Sequence, residues 1–166
     1  YHMATANFII LDAHYFPLYV IKTKKKTVVI QVWHASGGFK KVGYSVLDRN
    51  FGISKKDLEI SPIHTNYTYC LMGSQYNAKF YAESFNVGMD KFVTNIGIPR
   101  TDVFFNEELK SMLPEKVCNM YNLPKDKKII LYAPTFRGEH KTDAYFKDDL
   151  DFSVMKENIG EKYIIL

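Results

Sequence analysis

Residues Val28 to Lys41 read VVIQVWHASGGFKK. An apolar run ends in Trp33-His34, two glycines follow at Gly37 and Gly38, and two lysines come next. In parallel α/β sheets, ligands bind beyond the carboxyl ends of the strands. A histidine at such an end can accept a proton near neutral pH, which is general-base chemistry. Gly37 and Gly38 let the backbone approach a ligand closely. A helix beginning at Phe39 would add free amides that bind an anion. The alternative is a histidine satisfied by a neighbouring carbonyl in a tight turn, and position by itself leaves both open.

Two further stretches carry similar chemistry. LYAPTFRGEH, Leu131 to His140, is again a strand broken at Ala133-Pro134. Thr135 could offer a hydroxyl, and Arg137 a planar guanidinium, to the same phosphate oxygens. Arg137 could instead pair with Glu139 on a surface turn, and His140 is left outside the chemistry. In GIPRTD, Gly97 to Asp102, both Arg100 and Asp102 are candidates for phosphate or substrate contact. Their pairing with each other to fix a turn is the favoured expectation. No acid cluster suggests a metal, and no cofactor is expected. Cys70 and Cys118 lie far apart at no metal-binding spacing. They are expected to be free thiols packed in a reducing compartment.

Positioning these residues takes alternating strands and helices. Strands are expected at Asn7 to Asp12, Thr27 to Trp33, Tyr67 to Met72, Lys91 to Ile96, Lys128 to Tyr132 and Tyr163 to Leu166. The second is β-branched on both faces, as inside a parallel sheet covered by helices. Gln75 to Asn86 is amphipathic, with Ala78, Tyr81, Ala82 and Phe85 on one side. Asn106 caps a helix with acids in its first turn, and Pro114 suits the start of a second helical piece reaching about Tyr121. Asp151 to Asn158 reads as a helix stopped by Gly160. The polar NLPKDKK, Asn122 to Lys128, is the best linker. Gly43 to Asn66 is a long irregular excursion of the kind that often carries function. The alternation argues for an α/β fold with parallel sheets.

The 166 residues suit one domain and are short for two, and the 46% apolar and 24% charged content is ordinary for a globular protein. No apolar run reaches the ~18 residues of a membrane span, and no signal peptide is expected. Both ends look cut: the chain opens on Tyr1 and closes on an apolar strand. Residues 1–66 carry nine Lys/Arg against four acids, whereas the remainder is nearly balanced. A basic N-terminal half suggests an anionic partner, although Lys22 to Lys26 could be a solvated loop. A dinucleotide is not expected, because no G-x-G-x-x-G follows the first strand. Nucleic acid is not expected either, because the aromatics fall on apolar faces and no nucleic-acid motif is present.

VVIQVWHASGGFKKVG, NIGIPRTDVFF and IILYAPTFRG, in that order, closely resemble the CDP-glycerol glycerophosphotransferase family, whose members build teichoic acids from CDP-glycerol or CDP-ribitol. The opening YHMATANFIILDAHYFPLYVIK is also similar to the family's stretch ahead of the Trp-His motif. The resemblance implies a GT-B arrangement of two Rossmann-like domains: residues 1–123 on the acceptor side and 124–166 as the start of a truncated donor-binding domain. It implies that His34 is the catalytic base and that Pro134 to Arg137 opens the donor-binding domain. A second important histidine and a Ser/Thr/Asp-containing donor motif lie further downstream in the family, where this chain stops. Ala35 stands where many members have glycine. The partners implied are CDP-glycerol or CDP-ribitol and a lipid-linked polyol-phosphate acceptor of teichoic acid or capsule. The enzyme would work peripherally at the anionic cytoplasmic face of the bacterial membrane and release CMP. The rival readings are a non-catalytic nucleotide- or anion-binding module and an inactive fragment of the transferase.

Overall fold

The computed structural model describes residues 1–49, 52–138, 143–147 and 150–166. The chain divides into two units, Tyr1–Phe105 and Asn106–Leu166. Each is described by itself, and the expected boundary at 123/124 falls inside the second.

The first unit carries α1 (His2–Thr5), β1 (Phe8–Leu11), α2 (Pro17–Val20), β2 (Val28–Gln31), α3 (Lys55–Ile60), β3 (Tyr69–Leu71), α4 (Gln75–Phe85) and β4 (Phe92–Val93). The four strands form one parallel sheet in the order β1-β2-β3-β4. β-branched Val28 to Ile30 suit a pleated, two-sided environment, so β2 runs between two neighbours. Helix α4 begins where Ser74 accepts a hydrogen bond from the Asn77 amide at 3.2 Å. It ends at Asn86, whose left-handed φ of 53° asparagine tolerates better than most residues. Its inward face, including Ala78, Tyr81 and Phe85, closes over Val29, Cys70 and Met72 of the sheet side. Leu18, Trp33 and Tyr67 complete this core.

The excursion Gly43 to Asn66 resolves into a 3-10 turn, Gly43–Val46, and α3, capped by Ser54 on the Asp57 amide at 3.1 Å. Gly43 has φ 53°, and a Cβ there would lie 2.3 Å from the Ser84 carbonyl. Only glycine therefore lets this turn dock so closely on α4.

The second unit holds α5 (Glu107–Met120), β5 (Lys128–Ile130), β6 (Phe136–Arg137), β7 (Tyr145–Phe146), α6 (Phe152–Ile159) and β8 (Tyr163–Ile165). β5 and β8 pair in parallel, and β6 and β7 form an antiparallel hairpin. Two local expectations are corrected. Helix α5 is one continuous helix with Pro114 inside it rather than two pieces. Proline's fixed φ is compatible with a helix, and its missing N–H removes only one hydrogen bond. No helix begins at Phe39, and the next element is the short turn at Gly43. The proposed helix-amide anion site at Phe39 is therefore absent.

Candidate active site

β1 and β2 lie in register, with Leu11 opposite Gln31. Their carboxyl ends stop level, which brings the residues after β1 close to those after β2. Trp33 then takes a left-handed φ of 53°, costly for a bulky side chain. Three contacts hold it there. Its amide donates to Gln31 Oε1 at 2.9 Å, and its ring packs edge-on against Phe85 at 5.0 Å and Tyr81 at 5.9 Å. In an extended strand, consecutive side chains point to opposite faces. At this turn they do not, and the Trp33 and His34 rings stack at 4.4 Å.

His34 is exposed, and its Nδ1 lies 2.7 Å from the Asp12 carbonyl oxygen. A carbonyl can only accept, so Nδ1 carries a hydrogen, and in the neutral ring Nε2 holds the lone pair. The reading of a histidine satisfied by a neighbouring carbonyl is thus met at Nδ1. The ring borders a cavity of about 340 Å³ walled by Trp33, Gly37, Phe39, Lys40 and Tyr81.

Gln31 is fully buried. Its amide group donates to the Ala13 carbonyl at 3.1 Å and to the Tyr67 hydroxyl at 3.0 Å, while its oxygen accepts from Trp33. One side chain therefore clips the segment carrying Asp12 to the segment carrying His34. Arg100, in the 3-10 helix Pro99–Phe105, donates to the His34 carbonyl at 2.6 Å. The favoured pairing of Arg100 with Asp102 is corrected: no ion pair joins them among the described residues, because the guanidinium turns to the histidine backbone. Asp102 is exposed on the same 3-10 helix.

Gly37 lines this cavity, Gly38 follows it, and neither has a left-handed torsion. A Cβ on Gly37 would meet the movable Phe39 ring at 3.0 Å, and one on Gly38 would make ordinary contacts from 3.6 Å. Backbone permissiveness is therefore not what these positions use. The buried Gly37 carbonyl accepts from the Tyr81 hydroxyl at 3.0 Å.

In the second unit, Thr135 and Arg137 are exposed at the start of the β6–β7 hairpin. Arg137 Nη1 donates to the Thr135 and Phe136 carbonyls, each at 3.2 Å. Glu139 and His140 lie outside the described residues, and with them the alternative pairing of Arg137. Both cysteines are free thiols; Cys70 is buried in the core, and burial pushes its thiol up to about 12.

Sequence reasoning missed His64. It is buried at φ 59°, stacks on Phe85 at 4.4 Å, and its Nδ1 lies 2.7 Å from the Tyr67 hydroxyl. That hydroxyl also meets Tyr19 at 2.7 Å, and the His14 ring lies 5.6 Å from His64. The one available signal was a histidine three residues ahead of a strand tyrosine. Burial, with the positive field of His14 second, lowers His64 to about 4 from an ordinary 6.5. His14 is lowered too, by burial. Between these values the unfolded chain binds the extra proton, so stability rises with pH. The urea midpoint should be flat above about pH 6.5 and fall as pH drops toward 4. His64→Asn, which tolerates the left-handed torsion, should flatten that slope even though it lowers the midpoint.

A family model described as CDP-glycerol:poly(glycerophosphate) glycerophosphotransferase matches residues 1–166. The chain belongs to this family. Among its relatives is a teichoic acid ribitol-phosphate primase of Bacillus spizizenii, 40% identical over all of this chain and 43% of the relative. A teichoic acid glycerol-phosphate primase of Bacillus subtilis is 36% identical over 82% of this chain and 34% of its own length. The solved wall teichoic acid polymerase TagF superposes with a TM-score of 0.76 at 25% identity, over 96% of this chain and 39% of TagF. The chain thus spans less than half the length of each of these relatives, and its parallel α/β fold is shared with TagF. No helix among the described residues is long and apolar enough to cross a membrane.

Proposed function

We propose that the parent protein transfers glycerol or ribitol phosphate from a CDP-activated donor to a hydroxyl of a lipid-linked teichoic acid or capsule acceptor. His34 Nε2 takes the acceptor hydroxyl proton. The freed oxygen bonds to the polyol-bearing phosphorus, and the bond from that phosphorus to the CMP oxygen breaks, releasing CMP. Phosphoryl transfer depends chiefly on positioning and charge stabilisation. The acceptor belongs to the lobe built on the β1–β4 sheet, with Gly37, Gly38, Arg100 and Asp102 around it. The donor belongs to the lobe that begins at β5, with Thr135 and Arg137 toward its pyrophosphate. The observation that carries this reading is the exposed imidazole whose Nδ1 is tied to a backbone carbonyl, leaving Nε2 to accept. The excess of basic groups in residues 1–66 fits work at an anionic cytoplasmic membrane surface, where each Lys or Arg adds about 1 kcal/mol.

The test is CMP release by the full-length parent, given CDP-glycerol and CDP-ribitol separately, with lipid-linked acceptor in anionic vesicles. One donor should release CMP, at a rate that falls as salt rises. Release with neither donor would favour the non-catalytic module.

A further inference from the structure

A second cavity, about 390 Å³, opens beside the one at His34. The two share Phe39, Lys40 and Tyr81 as walls, so they adjoin at the loop after β2. Nothing in the proton transfer at His34 uses the second cavity.

Its chemistry is mixed in a specific way. Lys40 and Lys41 supply two cations, both exposed and in no ion pair among the described residues. In the same cavity, the Ser45 and Ser84 hydroxyls bond to each other at 2.8 Å. Ser84 is 5% exposed. A pair of hydroxyls holds two hydrogens and uses one between them, so the other can be donated. Glu83 adds a carboxylate, an acceptor only. The wall is rigid, because the turn bearing Ser45 is pressed against α4 through the side-chain-free Gly43.

A plain anion site would not include Glu83, and a sugar site would not need two lysines. A polyol joined through a phosphodiester needs both: cations for the phosphate, and hydroxyl and carboxylate partners for the polyol. Resting on the transferase reading above, we infer that this cavity is a subsite for the penultimate polyol-phosphate unit of the acceptor. Lys40 and Lys41 hold its phosphodiester, and Glu83 with the Ser45–Ser84 pair holds its hydroxyls. The terminal hydroxyl then extends along the shared wall to His34.

The experiment uses the full-length parent and compares Lys40→Gln/Lys41→Gln, Glu83→Gln and a control pair of exposed lysines outside the basic half, Lys116→Gln/Lys162→Gln. Acceptor KM should rise at least tenfold in the first variant and several-fold in the second, with donor KM unchanged. Calorimetry with a synthetic glycerol-phosphate trimer, without donor, should show the same loss of affinity. The subsite is overturned if acceptor KM stays put, if donor KM rises in step, or if the control pair loses as much. It is also overturned if the trimer binds all proteins equally. CMP release that is normal with unchanged acceptor KM defeats the subsite alone. Absent CMP release with lysine-dependent trimer binding defeats the transferase reading and leaves a polyol-phosphate binding site.

Discussion

Replacing His34 by glutamine in the full-length parent should lower kcat for CMP release by about 10²- to 10⁴-fold, the usual worth of a general base. That loss corresponds to roughly 3–5 kcal/mol on the barrier. Glutamine keeps a polar side chain of similar reach but has no nitrogen that can accept a proton near neutral pH. The ring is exposed, but it stacks on the buried Trp33 and bonds the Asp12 carbonyl, so its loss should cost about 1 kcal/mol. The urea midpoint should therefore fall only modestly while turnover collapses. Turnover within about threefold of wild type would remove His34 from the chemistry, whatever the rest of the site does.

Phe85→Ala should be the most damaging change to the fold. Phe85 is 1% exposed and touches four other rings: His64 at 4.4 Å, Trp33 at 5.0 Å, Tyr81 at 5.5 Å and Tyr67 at 5.8 Å. Truncating a buried phenylalanine costs about 3–5 kcal/mol, because the lost transfer free energy is joined by a cavity that rings cannot easily close. Against a typical domain stability of about 5–15 kcal/mol, that is a large share. Trp33 is the chain's one tryptophan, so its fluorescence follows this core directly. The urea midpoint of the 166-residue chain should fall by roughly 2 M. A shift below about 0.5 M would show that the ring cluster relaxes around the gap.

The parts of this molecule that were legible in its sequence are those set by near neighbours. Val28 to Ile30 announce a strand by branching at Cβ, and Asn106 and Asp151 announce helix starts; both side chains accept from amides two or three residues on. The location of His34 was legible for the same reason, since a strand end is a local event. What was not legible depends on contacts between distant residues. Gln31 looks like a polar interruption in an apolar run, yet it joins Ala13, Trp33 and Tyr67. His64 has no motif, and its partners come from His14, Tyr19 and Phe85. Gly37 and Gly38 stood out in the sequence, whereas Gly43, unremarked there, is the glycine whose positive φ and close approach to the Ser84 carbonyl require it.

The group that orients His34 is a main-chain carbonyl rather than a carboxylate, and no carboxylate lies within ion-pair distance of the ring among the described residues. A carbonyl fixes the tautomer but carries no full charge with which to balance the imidazolium that forms once the proton arrives. On the proposed reaction, that balancing charge comes from the phosphates of the reactants themselves. On the same proposal the imidazolium is balanced only when the anionic acceptor is seated beside it, so breakdown of the activated nucleotide by water should be slow in an acceptor-free site.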